Sequence, residues 1–132
     1  MLDGVVENAC TEVVVEEWRD LMARHAAVTC ALSKELGDRH GIGVHEYEVL
    51  DRLADARHGK QRIQDLSEAV SLSQSALSRL VARLEREGLV LRAMCDVDRR
   101  GIYAVITDKG RERHDEARPT YRTVLAQTLA QT

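Results

Sequence analysis

The chain has 132 residues, of which 44% are hydrophobic and 31% charged, a composition that suits one compact domain with or without an assembly element. Its apolar runs are shorter than the roughly 18 residues of a membrane span, and its first ten residues carry Asp3 and Glu7 where a secretory signal would carry Lys or Arg, so we expect a cytoplasmic protein. The three cysteines (Cys10, Cys30 and Cys95) form no CxxC pair, which argues against a disulfide framework and a thiolate zinc site; we expect no metal and no cofactor.

The net charge of −3 is unevenly distributed along the chain. Residues 57–103 contain nine Lys and Arg residues against six Asp and Glu residues, so this middle stretch is locally basic within an acidic protein. Binding to a charged partner depends on the local field rather than on the total charge. The middle stretch is therefore the candidate site for an anionic partner.

Two helical patterns occupy the first part of the chain. Apolar residues at three- and four-residue intervals predict a long amphipathic helix over 11–36. Three glycines in 37–43 predict a break, and a second helix is predicted over 44–56. The inward face of the second helix is expected to consist of Val49, Leu50 and Leu53.

Two further helices follow with a tight turn between them. The spacing of apolar residues predicts a short helix over 62–70 and a longer one over 74–87. Ser73 is a good N-cap for the longer helix, and Gly88 stands where a terminating glycine is expected. This order of helix, turn and helix is typical of a helix-turn-helix motif.

A two-stranded hairpin is predicted after the second of these helices. Its strands are the β-rich runs 89–94 and 101–107, which charged residues connect. Thr107 or Asp108 can cap a last helix that carries an apolar stripe. Pro119 is expected to kink that helix or to begin a new segment, because it lacks an N–H and crowds the preceding turn.

The helix-turn-helix and the hairpin together predict a winged helix that binds double-stranded DNA. Gln74 can pair bidentately with adenine in a major groove, and Arg79 and Arg83 can reach phosphates. Arg100, held extended by Asp98 at the hairpin tip, suits a narrow minor groove. The predicted DNA-binding residues are Ser73, Gln74, Ser75, Ser78, Arg79, Arg83, Asp98, Arg99 and Arg100.

The apolar stripes on the two terminal helices exceed what a small winged helix can cover, and a second copy would cover them. We expect dimerisation through Trp18, Leu21, Leu125 and Leu129. A two-fold axis would set two recognition helices about 34 Å apart, one turn of duplex. The predicted parts are an N-terminal dimerisation helix and loop (1–43), a winged helix-turn-helix domain (44–107) and a C-terminal dimerisation helix (108–132).

A resemblance to the MarR family of bacterial winged helix regulators lies in the stretch LSEAVSLSQSALSRLVARLEREGLVLR and the following CDVDRRGIYAVITDKG. The wing motif DxRxxxxxxT of that family is present as Asp98, Arg100 and Thr107, and the resemblance covers about residues 18–125. It implies a mainly α fold with a small β-hairpin wing, a homodimer with intertwined N- and C-terminal helices, and palindromic operator DNA. We expect repression rather than activation.

The resemblance also implies control by a small anionic aromatic effector or by cysteine oxidation. An effector pocket would lie between the helix over 11–36, the helix over 44–56 and the last helix. Its candidate lining residues are Trp18, Met22, His25 and Tyr47. Family members usually continue with another helix beyond the region of Pro119, so we expect the first helix to carry much of the dimer contact.

Other classes of function fit the residues less well. No nucleophile elbow, phosphate-binding glycine loop or acid–base pair indicates an enzyme. A winged helix that binds only proteins would present a neutral or apolar recognition face, whereas this face keeps Arg79, Arg83 and Arg86. Binding to single strands or RNA is disfavoured because aromatic residues make up only 3% of the chain, which leaves few stacking platforms.

Overall fold

The chain folds into helices around a small antiparallel sheet. The computed structural model describes the backbone of residues 2–94 and 101–131 and the side chains of residues 9–94 and 101–130. Within these residues the elements are α1 (Leu2–His40), α2 (Val44–Asp55), a 3-10 turn (Arg57–Gly59), β1 (Lys60–Arg62), α3 (Ile63–Ala69), α4 (Gln74–Arg86), β2 (Val90–Met94), β3 (Ile102–Ile106) and α5 (Asp108–Gln131).

α1 is longer than the helix predicted over 11–36. The break predicted over 37–43 begins later than Gly37, because the helix continues to His40 and Gly41 follows it with a φ of +62°. The N–H of Gly41 donates to the carbonyl of Gly37 at 3.1 Å, and that of Ile42 to Leu36 at 3.3 Å. A helical glycine costs only about 1 kcal/mol relative to alanine, so Gly37 alone does not end the helix.

The helix-turn-helix of α3 and α4 has boundaries within one residue of those predicted. Ser73 caps α4, since its Oγ accepts the N–H of Ala76 at 3.1 Å. Gly88, with a φ of +77°, ends the helix, and the N–H of Leu89 donates back to the carbonyl of Leu84 at 2.9 Å. This is a Schellman-type end, and both predicted helix signals are confirmed.

The wing belongs to a three-stranded antiparallel sheet with the order β1-β3-β2. β2 and β3 form the predicted hairpin. β1 was not predicted, because its three polar residues show no alternation of apolar and polar side chains. It is a strand because it pairs with β3, with Lys60 opposite Val105 and Arg62 opposite Tyr103.

α5 is one helix from Asp108 to Gln131 with Pro119 inside it, so the prediction that Pro119 begins a new segment is wrong. Proline removes one N–H from the helix. The packing of α5 along α1 supports the helix through this position. At its start, Thr107 Oγ1 accepts the N–H of Gly110 at 3.0 Å, as predicted for a capping residue.

The core forms where α2, α3, α4 and the sheet meet the C-terminal part of α1. The inward face predicted for α2 is confirmed, since Val49, Leu50 and Leu53 are all fully buried. The largest fully buried aliphatic residues are Leu36, Val49, Leu50, Leu53, Leu66, Leu77, Val81, Leu84, Leu89 and Val90. Residues 9–27 of α1 lie outside this core and are exposed apart from the half-buried Val15. No helix in the described part of the chain is long and apolar enough to cross a lipid bilayer.

Candidate nucleic-acid interface

α4 has one buried and one exposed face. Leu77 and Val81 are fully buried against the core, and Gln74, Ser75 and Arg79 are exposed on the other side. The first turn of the helix holds no acidic residue. The exposed side chains at the N-terminal end of α4 are thus short and polar, and none of them is negatively charged. A helix that enters a major groove needs these properties.

Two of the predicted DNA-binding serines also stabilise α4 or its neighbours. Ser73 is exposed, but its Oγ is engaged as the N-cap acceptor. Ser78 is half-buried, and its carbonyl oxygen accepts a hydrogen bond from Arg92 Nη2 at 2.8 Å. The hydroxyl proton of Ser78 can still be donated to DNA, whereas the Ser73 hydroxyl also hydrogen-bonds with that of Ser75 at 3.3 Å.

The two arginines predicted to bind phosphates differ in their surroundings. Arg83 Nη1 donates to Oε1 of Glu46 in α2 at 3.0 Å, and the Glu46 side chain is only 10% exposed. Arg79 is exposed and has no hydrogen-bond or ion-pair partner among the residues whose side chains are described. Arg79 is therefore available for a phosphate, whereas Arg83 already neutralises a largely buried carboxylate.

The predicted wing-tip residues Asp98, Arg99 and Arg100 lie outside the described residues, so their role stays a prediction. The base of the wing is described. Gly101 is buried against the guanidinium of Arg62, where an added Cβ would lie 2.9 Å from Arg62 Nε. A glycine at this position thus permits close contact between β3 and Arg62.

Most of the predicted dimerisation residues expose large apolar side chains. Trp18 is 59% exposed, Leu21 51% and Leu129 41%, and Met22 beside them on α1 is 46% exposed. Leu125 differs, because it is half-buried against the edge of the core. The N-terminal part of α1 therefore presents an uncovered apolar stripe.

Tyr47 lies apart from the other residues predicted to line an effector pocket. Its ring is almost fully buried and stacks on His114 and Tyr121, with centroid distances of 5.3 and 4.4 Å. Burial raises the pKa of both the Tyr47 and the Tyr121 hydroxyl groups. Within one chain, Tyr47 is thus a core residue, while His25 and its predicted pocket neighbours on α1 are exposed.

A polar cavity of about 400 Å³ lies between α2 and α5. At its wall, the nearly buried His114 makes a 2.7 Å hydrogen bond from Nε2 to Oδ1 of Asp51. The lining residues are Asp51, Ala54, Asp55, Arg111, His114, Asp115, Arg118 and Arg122. The residues that line this cavity were not predicted, because no local pattern in the sequence indicates which residues of α2 and α5 face each other.

Comparison with known proteins identifies the family. The MarR family profile matches residues 44–102. The structure of AbsC, a MarR family transcriptional regulator from Streptomyces coelicolor, is 30% identical in sequence and superposes with a TM-score of 0.79 over 87% of this chain and 77% of AbsC. The chain belongs to the MarR family. The expected mainly α winged helix fold is therefore confirmed.

Two further MarR relatives extend this comparison. Sco3205 of Streptomyces coelicolor, a MarR family regulator solved in complex with DNA, is 29% identical, with a TM-score of 0.80 over 86% of this chain and 72% of Sco3205. The uncharacterized HTH-type transcriptional regulator YkoM of Bacillus subtilis (strain 168) is 30% identical over 69% of this chain. The match spans 58% of YkoM's own length. These relatives are transcriptional regulators and not enzymes.

Proposed function

We propose that this MarR family chain is a transcriptional repressor that binds a palindromic operator in double-stranded DNA as a homodimer. The observation that carries the proposal is the exposed N-terminal face of α4, where Gln74, Ser75 and Arg79 stand on the second helix of a helix-turn-helix without an acidic neighbour in the first turn. Support comes from the relative Sco3205, which was solved with DNA.

Each part of this surface has a separate role in the proposal. Gln74 reads an adenine edge through a bidentate pair, and Ser75 and Ser78 contact bases or phosphates. Arg79 binds a phosphate and fixes the position of the helix without specifying sequence. At the wing, Arg100 enters the minor groove in an orientation held by Asp98.

The homodimer follows from the uncovered part of α1. Contiguous exposed apolar surface of this kind marks an interaction site, and a second copy covers it through a symmetric contact. In the proposal, Trp18 and Leu21 of α1 and Leu125 and Leu129 of α5 lie in this contact. The two-fold axis places two copies of α4 in successive major grooves about 34 Å apart.

A small anionic aromatic effector is also part of the proposal. The cavity between α2 and α5 supports it, because its lining has three arginines (Arg111, Arg118 and Arg122) that can pair with a carboxylate, alongside three aspartates. His114, in the same lining, stacks on Tyr47, so a ligand there would contact the core of the winged helix. If the effector favours a form that binds DNA poorly, effector and DNA must weaken each other by the same factor. Calorimetric titration of salicylate with and without DNA tests this linkage.

Selection from a random duplex library tests the DNA-binding proposal. We expect the wild-type chain to enrich one inverted repeat and to bind it at least roughly 1,000-fold more tightly than scrambled duplex at the same salt concentration. The scrambled duplex serves as the control for sequence-independent attraction to phosphates. Equal affinity for every duplex, or preference for single strands, would contradict the proposal.

A further inference from the structure

Arg92 connects the wing to the recognition helix. It lies on β2, and its Nη2 donates to the carbonyl oxygen of Ser78 in α4 at 2.8 Å, while its Nε lies 3.0 Å from Oε1 of Glu85. Ser78 and Glu85 are seven residues apart, about two helical turns. Helical carbonyls point toward the C-terminus and side chains lean toward the N-terminus, so one guanidinium reaches both groups.

Arg92 is an exposed residue, and its place on β2 makes this surface contact a link between the wing and α4. Val90 and Met94 share its face of the sheet, because side chains two residues apart on a strand point the same way. Val90 is fully buried, but Met94 is 68% exposed. Arg92 thus lies where β2 extends beyond the core, and its contacts hold this part of β2 against α4.

The contacts of Arg92 also distinguish it from a phosphate ligand. Its guanidinium forms an ion pair with the carboxylate of Glu85 and donates a hydrogen bond to the carbonyl oxygen of Ser78, so both partners lie on α4. Arg79 is exposed like Arg92, but it has no such partner among the described side chains. Two arginines close to the same interface therefore have different electrostatic surroundings.

We propose that Arg92 is a positioning residue that fixes the wing against α4, so that the two DNA-contacting elements form one preorganised surface. The proposal rests on the proposed binding to double-stranded DNA. Ordering a mobile element on binding reduces affinity, and a fixed wing avoids that loss. Sequence-independent binding needs no defined wing position, so Arg92 affects specific binding in particular.

Arg92→Met and Arg92→Lys test the proposal on a duplex selected from a random library by the wild-type chain, beside a scrambled duplex. We expect Arg92→Met to weaken binding to the selected duplex by about tenfold and binding to the scrambled duplex by less than about twofold. Arg92→Lys should not restore affinity, because a single ammonium cannot replace the planar fork of donors.

The dependence of binding on salt separates positioning from phosphate binding. The slope of log K against log salt should stay unchanged in Arg92→Met, whereas the control Arg79→Met should lower it by about 0.9 for each phosphate that the protein no longer neutralises. The same fall in slope in both variants, or full rescue by Arg92→Lys, would overturn the proposal.

Hydrogen exchange without DNA gives an independent readout. Amides of β2 and β3 should exchange faster in Arg92→Met than in the wild type, while those of α2 keep their rates, because the loosening is confined to the wing. Unchanged exchange in β2 and β3 would overturn the proposal that Arg92 fixes the wing against α4. If Arg92→Met does not fold, Glu85→Gln removes the charge partner of Arg92 and should loosen the same strands. Failure of the wild-type chain to select any duplex would refute the proposed function. The exchange rates would still decide whether Arg92 fixes the wing against α4.

Discussion

Gln74 and Ser78 stand in the first two turns of α4, where a helix that enters a major groove meets base edges. Gln74→Ala should weaken binding to the selected duplex by about 1–3 kcal/mol through the loss of a bidentate pair, and Ser78→Ala should weaken it by less, while binding to scrambled duplex stays nearly unchanged. The control is Gln127→Ala, an exposed glutamine on α5. Both dissociation constants should be measured at one salt concentration. Equal losses on the two duplexes would show that neither residue reads a base.

Substitution by alanine should affect DNA binding at Arg79 and the stability of the fold at Arg83. Arg79→Ala should lower the salt dependence of DNA binding and leave the free energy of unfolding unchanged, because its side chain is exposed and unpaired among the described residues. Arg83→Ala should reduce the free energy of unfolding by about 1 kcal/mol, since it leaves the largely buried Glu46 without its partner. Urea unfolding and a salt titration of DNA binding separate the two. Identical behaviour would contradict the assigned roles.

At the scale of elements, two helical glycines predict opposite effects of alanine. A Cβ on Gly110, in the first turn of α5, would collide with the carbonyl oxygen of Leu89 and would lie 2.8 Å from Ile106 Cγ1. Gly110→Ala should therefore destabilise the fold by about 1–3 kcal/mol through overpacking. Gly37 in α1 is the matched control, since a Cβ there meets no atom within 4 Å. Gly37→Ala should stabilise the protein by up to about 1 kcal/mol in the same urea experiment. Equal stability of the two variants would contradict the close approach of α5 to the Leu89 carbonyl.

Elements with local signals were predictable, and elements that depend on distant partners were not. Ser73 and Gly88 mark the ends of α4 through their own backbone preferences, so the helix-turn-helix could be inferred from the sequence. β1 could not, because three polar residues become a strand only by pairing with β3 some forty residues later. The alternative that Pro119 begins a new segment is wrong for a similar reason, since the packing of α5 on α1 outweighs one missing N–H.

The same distinction applies to the candidate site. The exposed face of α4 could be predicted from helical periodicity alone. The pairing of Arg83 with Glu46 could not, because it joins helices 37 residues apart in the chain. Arg92 had a partial signal, as its alternation with Val90 on β2 places it on the face of a buried residue, but only the fold reveals that α4 lies opposite.

At the scale of the whole molecule, the three predicted parts share one core. Leu32 and Leu36 from the N-terminal part and Ala117 from the C-terminal part are buried in the same cluster as the apolar residues of the winged helix. A movement of α1 or α5 would therefore shift the residues of α2 that pack in the same core. The division into dimerisation and DNA-binding parts stays a functional interpretation.

The exposed stripe of α1 predicts the assembly state. The wild-type chain should sediment as a dimer at micromolar concentration, and Leu21→Glu should shift it toward monomer, because burying an unpaired charge costs on the order of 3 kcal/mol. Ser33→Glu is the matched control, since it adds the same charge at an exposed polar position of the same helix. A wild-type monomer at these concentrations would remove the basis for a two-fold arrangement on DNA.

A hydroxyl-radical footprint of the wild-type chain on its selected duplex is the sharpest test of dimeric DNA binding, because it locates both copies of α4 and both wings on the DNA at once. We expect two protected stretches related by a dyad, with centres about 34 Å apart, one helical turn. Protection should extend into the flanking minor grooves where the wings lie. A single protected stretch, or two stretches without a dyad between them, would contradict the proposed two-fold binding.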